Sequence, residues 1–221
     1  MAPDPQTPLA WSLVIPVKVL AQAKTRLVGL AADRRSRLVL AMAADTVAAA
    51  LRAAPVATVL VVTDDREVRQ MAVELGAIVL ADAPGAGLNE AFGYGAAYAL
   101  ERWPDRGRCG LAGDLPAIEP AELTAVLRVA AGLGEAFVAD ADGTGTALYT
   151  AAPGSAFRPR FGPASRRQHL DGGAAEITAD ATAAVLAGLR RDVDTVDDLR
   201  AAAAIGLGPR TRAELALDGW V

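Results

Sequence analysis

The chain has 221 residues and a formal charge of −4, which suits one or two domains with an adequate core and argues against general coating of nucleic acid. Hydrophobic residues make up 52%, but 51 residues are alanine, so larger apolar side chains form a modest set. No run approaches the roughly 18 uncharged apolar residues of a membrane helix. The stretch from Leu38 to Ala44, for example, is cut by Asp45.

From the amino end, Met1 to Pro8 holds three prolines and no basic residue, unlike a secretory signal. Residues 1–10 read as a disordered lead-in and 11–221 as a single domain. The single cysteine, Cys109, lies in an apolar run and reads as a small core residue; it allows no internal disulfide, so a cytoplasmic location is the default. The single histidine, His169, rules out two-His metal motifs and, like Cys109, is a poor candidate for catalysis. Trp11 to Val17, Thr58 to Thr63, Ala77 to Ala81 and Cys109 to Gly113 are apolar runs with little alternation, as in parallel strands covered on both faces. Helical spacing fills the gaps: Asp33 to Ala53 with Leu38, Met42, Val47 and Leu51 near one face, Asp65 to Leu75 closed by Gly76, Leu88 to Arg102, and Pro120 to Ala131. Beyond about residue 135, shorter strands (Glu135 to Ala139, Thr146 to Thr150) lead into a long Gly-, Pro- and Arg-rich loop from Ala152 to Gly173. Thr195-Val196-Asp197-Asp198 is a capping box that starts a late helix. The expected architecture is one doubly wound α/β domain, a mostly parallel sheet with helices on both faces and a β-rich late insertion.

Charge is unevenly placed along this pattern. The only two lysines, Lys18 and Lys24, fall with Arg26 just after the first strand, at the strand end where parallel α/β sheets bind ligands. A solvated basic loop is the plainer reading of that segment. Three cations there also suit a polyphosphate, since each opposite-charge pair near 4 Å contributes roughly 4 kcal/mol at an effective dielectric near 20, before desolvation. The glycines of a P-loop are missing around Lys24-Thr25, and neither Gly85-Ala86-Gly87 nor Gly143-Thr144-Gly145 continues into G-x-G-x-x-G.

Asp114 follows an apolar strand and precedes Leu115-Pro116. Such an acid commonly forms a turn or cap, but at a strand's carboxyl end it also suits a Mg²⁺ that bridges substrate phosphates. Arg191-Asp192-Val193-Asp194 offers a second acid. Asp194, immediately before the capping box, is the preferred partner, and Asp192, two residues back on the same strand face, is the alternative. Gly85 to Gly87 deliver Asn89 into the first turn of a helix, where an amide either caps or reads a base or ribose edge. In Phe161-Gly162-Pro163-Ala164-Ser165-Arg166-Arg167, Gly162 permits close backbone approach, Ser165 can cap the next turn, and Arg166 and Arg167 suit a second phosphate; an exposed arginine-rich loop is the alternative.

Taken in order, I-P-V-K-x(5)-K-T-R-L, G-L-N-x-A, G-D-L-P, G-T-G-T, F-G-x-x-S and D-V-D-T-x-x-D-L resemble the guanylyltransferases that make the deazaflavin coenzyme F-420. The resemblance spans about residues 11 to 208. It implies a Rossmann-like, nucleotide-diphospho-sugar-transferase type of fold using Mg²⁺, with GTP and a small phospho-acid as partners and neither nucleic acid nor membrane. By resemblance, Lys18, Lys24 and Arg26 contact the GTP phosphates, Gly87 and Asn89 line the nucleotide pocket, and Asp114 and Asp194 hold Mg²⁺. Thr146, Gly162 and Ser165 match the acceptor positions, with Arg166 beside them. Val196 departs from the family's D-T-P pattern. The implied reaction is transfer of GMP to phosphoenolpyruvate, with 2-phospho-L-lactate or 3-phosphoglycerate as the alternative acceptor. More distant readings are transfer to a pterin or sugar phosphate and a non-catalytic nucleotide-binding subunit. Oligomeric state is left open.

The chemistry agrees with the resemblance. An acceptor phosphate is already ionised at neutral pH and needs no general base, whereas bringing two polyanions together needs cations. One His, one Cys, clustered basic residues and paired acids suit that task.

Overall fold

The computed structural model describes residues 9–20, 24, 27, 31–83, 85–177 and 185–217. Most of the expected lead-in, residues 1–8, and the expected phosphate contact Arg26 lie outside the described residues. Residues 9 and 10 already belong to the domain: Leu9 packs against the core and the Ala10 carbonyl accepts the Gly107 amide at 3.0 Å.

Seven strands form one sheet in the order β3-β2-β1-β4-β6-β5-β7. Strands β1 (Trp11–Pro16), β2 (Val56–Val62), β3 (Ile78–Leu80) and β4 (Gly107–Leu111) are mutually parallel. Strand β6 (Thr146–Ala151) lies antiparallel between β4 and β5 (Glu135–Ala139), and the short β7 (Ala175–Glu176) adds parallel to β5. The late strands, expected as a β-rich insertion, extend the same sheet. Strand β4 begins two residues before the apolar run, because Gly107 and Arg108 pair with Trp11 and Ser12 despite their composition. Arg108 is only 5% exposed there, its guanidinium donating to the Ala152 and Ser155 carbonyls.

Helices α1 (Ala32–Arg52), α2 (Arg66–Leu75), α3 (Leu88–Arg102) and α4 (Pro120–Ala130) match their expected spans within two residues. Asp65 caps α2 by accepting the Glu67 and Val68 amides, and Gly76 closes it in the left-handed conformation. The Ala152 to Gly173 stretch is not all loop, since α5 (Ser165–Asp171) forms within it. After α6 (Ala187–Arg190), the helices α7 (Val196–Ile205) and α8 (Pro209–Ala216) pack behind the sheet, α8 against α1.

Two cores cover the two faces. The larger is aliphatic: Leu13, Ile15, Val59, Val61 and Leu111 from the sheet meet Leu38, Met42 and Val47 of α1, Leu123 and Leu127 of α4, and Leu199 of α7. The smaller is aromatic, built on Phe92, Phe137, Tyr149 and Phe161, with Phe157 packed against it. Helix α3 can approach the sheet closely because Gly95 faces it; a Cβ there would come within 2.4 Å of Val14.

Candidate active site

Strand order reverses between β1 and β4: from β1 the chain steps to β2 and β3 on one side, while β4 lies on the other. In open α/β sheets the crevice at such a switch point, outside the carboxyl ends of the strands, receives ligands. Lys18 stands exposed just past β1, and the segment that follows is pinned by the Leu20 amide, which donates to the Asp65 carboxylate at 2.9 Å. Asp65 therefore does two jobs, capping α2 and fixing the start of the basic segment. Lys24 lies beyond it with φ +52°, a left-handed conformation that costs a non-glycine residue energy and is found at constrained sites. The Leu27 amide closes the turn on the Lys24 carbonyl at 3.0 Å, and the Leu27 side chain is buried.

Asp114 follows β4. It is located by its neighbours: the Leu115 amide donates to the buried Thr46 hydroxyl of α1 at 3.1 Å, and the Val193 amide donates to the Asp114 carbonyl at 3.2 Å. The second contact draws the late acidic segment alongside. Gly188 makes that approach possible, since a Cβ there would meet the Ala117 carbonyl at 2.0 Å. The segment is an irregular connection, not the strand expected from its alternation, and Asp194 is held by the capping box at its end. Asp198 accepts from the Asp194 amide (3.2 Å), the Thr195 amide (2.8 Å) and the Thr195 hydroxyl (2.8 Å).

The Lys24 ammonium donates to both Asp114 and Asp194. Three residues from remote parts of the chain thus converge on one point. Burial works against the ammonium, but the two carboxylates outweigh it and raise the Lys24 pKa above its ordinary value. The expectation set Lys24 on a triphosphate; here it bridges the acids, because two half-buried carboxylates in one crevice need a cation between them. Asp192 is also close, and burial, then the charge of Asp114, push its pKa up to about 7 against the pull of Lys24. Of the two late acids, Asp194 is the one that shares Lys24 with Asp114. Among the described residues no three His, Cys, Asp or Glu side chains form a metal cage. A carboxylate pair still fits Mg²⁺, which keeps several waters and takes one or two protein carboxylates.

Gly87, with φ +127°, precedes α3 and leads to Asn89. The Asn89 amide donates to the Phe161 carbonyl at 3.0 Å and accepts the Phe161 amide at 2.8 Å. It therefore clips the late loop to α3, a role the reading of a base or ribose edge does not anticipate. Phe161 also stacks on Phe92, with centroids 4.2 Å apart.

Beyond that clip, the Ser165 hydroxyl donates to the Thr146 hydroxyl at 3.0 Å, and Thr146 Oγ1 lies 3.0 Å from His169 Nδ1. Gly162 sits exposed at the turn before α5, with φ +126°. Ser165 is the first residue of α5 and not its cap; that place belongs to Ala164, in the left-handed region. The two arginines are committed elsewhere. Arg166 forms a paired contact with Glu176, its Nε 3.0 Å from Oε1 and its Nη2 3.1 Å from Oε2, and Arg167 pairs with Asp171 at 2.8 Å. Neither is presented as a free cation to a second phosphate. The G-T-G stretch is a turn: Asp140 accepts the Thr144 and Gly145 amides at 3.0 and 2.8 Å.

The family model described as guanylyl transferase CofC like matches residues 11–214. The chain belongs to this family. It is 54% identical over 205 residues to a phosphoenolpyruvate guanylyltransferase of Thermomonospora curvata, covering 93% of this chain and 88% of that one. A phosphoenolpyruvate guanylyltransferase of Streptomyces coelicolor is 50% identical over 206 residues, covering 93% and 95%. Among solved structures, a nucleotidyl transferase from Methanothermobacter superposes with TM-score 0.57 at 18% identity, covering 89% of this chain and 97% of that one. A Desulfovibrio desulfuricans protein named for nucleotide-diphospho-sugar transfer gives 0.60 at 14%, covering 92% and 97%. These last two share the fold, which is the one the resemblance implied.

In this CofC-like guanylyl transferase, sequence reasoning misses the residues that hold others in place. Asp65 and Thr46 carry no motif that shows their contacts, whereas Asp198 is legible in sequence as the closing residue of the capping box. His169 gives no signal because one histidine makes no pattern. It is 2% exposed and stacks on Tyr149 and Phe137 at 4.7 and 5.3 Å. No helix of the described residues is long and apolar enough to cross a membrane.

Proposed function

We propose that this chain joins the GMP moiety of GTP to phosphoenolpyruvate, releasing pyrophosphate, in the cytoplasm as a step toward coenzyme F-420. The observation that carries the proposal is the meeting of Lys24, Asp114 and Asp194 at the switch point between β1 and β4. An oxygen of the acceptor phosphate forms a bond to the α-phosphorus as the bond to the bridging oxygen of the leaving pyrophosphate breaks. Both reactants are anions, so the work of the site is to bring negative charges together and to stabilise the charge on pyrophosphate. Asp114 and Asp194 would hold Mg²⁺, which when bound supplies positive charge to the α-phosphate and the leaving group. Lys24, with Lys18 and Arg26, would face the GTP phosphates, and Gly87 the nucleotide. Thr146, Gly162 and Ser165 would receive the phospho-acid, with hydroxyl donors in place of the arginines. Relatives near 50% identity named for phosphoenolpyruvate support that acceptor.

The experiment is direct. Purified protein is incubated with GTP and Mg²⁺ and with phosphoenolpyruvate, 2-phospho-L-lactate or 3-phosphoglycerate in turn, and pyrophosphate release is followed. Release with phosphoenolpyruvate and GTP, and little with ATP or CTP, is expected. Turnover with 2-phospho-L-lactate alone would overturn the acceptor, and turnover only with another nucleotide would overturn the donor.

A further inference from the structure

The hydroxyl pair Thr146–Ser165 ends on a buried imidazole, and counting protons there decides what the pair can offer a ligand. His169 Nε2 lies 3.0 Å from the Arg160 backbone amide, which can only donate, so Nε2 must be the unprotonated nitrogen. A neutral ring then carries its proton on Nδ1, which points at Thr146 Oγ1 3.0 Å away. The tautomer matters because the two hydroxyls bring two protons between them, one of which is used in their mutual hydrogen bond. With Nδ1 as donor, Thr146 Oγ1 accepts from the ring and from Ser165, and its own proton stays available. With the opposite tautomer, Thr146 would have to donate to Nδ1 and no proton would remain. Ser165 is fully buried whereas Thr146 is part-exposed, so the available proton is the one on Thr146.

We infer that His169 is a positioning residue for the acceptor: as the neutral Nδ1–H tautomer, fixed by the Arg160 amide, it turns the Thr146 hydroxyl proton outward toward an anionic phospho-acid. The inference rests on the acceptor role proposed above for Thr146 and Ser165. The surroundings keep the ring in that form. Stacking on Tyr149 and Phe137 fixes its plane, and Phe161 meets its edge at 6.0 Å. The charged and titratable groups around it are Arg160 and Arg158, Tyr149, and Glu135, to which the Tyr149 hydroxyl donates. Burial and the nearby Arg160 charge both disfavour an imidazolium, and only the Ser165 backbone carbonyl favours it.

Because His169 is the only histidine, its tautomer can be read in the intact protein without assignment, from two-bond nitrogen–proton correlations of ¹⁵N-labelled enzyme. The expected spectrum is a neutral ring protonated at Nδ1 from pH 8 to pH 5.5. An Nε2–H tautomer, or an imidazolium at pH 7, would overturn the inference whatever the enzyme's substrate. Kinetics supply the second arm. His169→Phe keeps the stacking and removes both hydrogen bonds, and should raise KM for phosphoenolpyruvate about tenfold with kcat and KM for GTP near wild type. His169→Asn places an amide donor where Nδ1 stands and should recover most of that loss. An Asn variant as impaired as the Phe variant, while equally folded, would refute the positioning role. If instead the spectrum is as expected but Thr146→Val leaves KM for phosphoenolpyruvate unchanged, the acceptor reading itself fails.

Discussion

Around the carboxyl ends of β1 and β4 the polar groups carry full charges and arrive from positions 24, 114 and 194. Around β5, β6 and α5 they are two hydroxyls and one imidazole, set among aromatic rings; all four phenylalanines of the chain lie in or against this second core. The difference teaches what each region would offer the anionic reactants proposed above. The charged region is held by opposing charges, with the Lys24 ammonium between two carboxylates, so it responds to changes of charge. The neutral region is held by stacking and hydrogen-bond direction, so it responds to the placement of single protons. Asn89 ties this second region to α3, reaching from the helix to the backbone of Phe161.

The largest effect should come from the charged region. Asp114→Asn is expected to lower kcat by about 10³-fold, the scale for loss of one element of transition-state charge stabilisation. Circular dichroism should show an intact fold, and raising Mg²⁺ should recover only part of the rate. Activity within tenfold of wild type would remove Asp114 from the metal.

A pH experiment separates the neutral region. His169 has its pKa depressed to about 4 by burial and by the Arg160 charge, against an unfolded value near 6.5. Between those values the unfolded chain binds more protons than the folded one, so stability falls as pH drops from about 6.5 toward 4. Between pH 7.5 and pH 5 wild type should lose about 2 kcal/mol more than His169→Phe in urea unfolding, since a tenfold difference in proton affinity is worth about 1.4 kcal/mol. Parallel pH curves for the two proteins would mean that the imidazole titrates normally.

The link is tested by Asn89→Ala, which removes two hydrogen bonds to one peptide group and should cost about 1–2 kcal/mol of stability. KM for phosphoenolpyruvate should rise more than KM for GTP; the reverse order would favour the nucleotide-pocket role that the resemblance implies for Asn89. The smallest effect is expected from Thr195→Ala. Loss of the cap should cost about 1 kcal/mol and raise the half-saturating Mg²⁺ concentration by no more than about fivefold, through a looser Asp194.

The charged region is the more legible of the two in sequence. Lysine is scarce in this chain, so two of them in one segment stand out, and acids placed after an apolar strand and before a capping box carry position as well as charge. The parallel half of the sheet is legible for a similar reason, as uninterrupted apolar runs mark strands covered on both faces. What stays hidden depends on partners far away in sequence. Arg166 reads as a cation for phosphate until Glu176 is found beside it. Asn89 reads as a cap or a base contact until Phe161 meets it. His169 carries no pattern at all, and its setting arises only when Tyr149, Phe137 and the Arg160 amide converge. Gly107 and Arg108 hide the start of β4 because neither has the apolar side chain that strand patterns rely on.

The placement of β6 between β4 and β5 has a further consequence. Everything from Glu135 to Ile177 is consecutive in the chain; it meets β4 through the short ladder from Arg108↔Ala151 to Leu111↔Leu148, extended by the Ala112 amide on the Ala147 carbonyl, and meets the late acidic segment through the Ala141 amide on the Arg190 carbonyl. A chimera that exchanges this one cassette with a relative, keeping those contacts and the asparagine opposite residue 161, would carry over the proposed acceptor side of the site as one piece. Such folds can diversify by recombination at two breakpoints, without redesigning the chemistry they share.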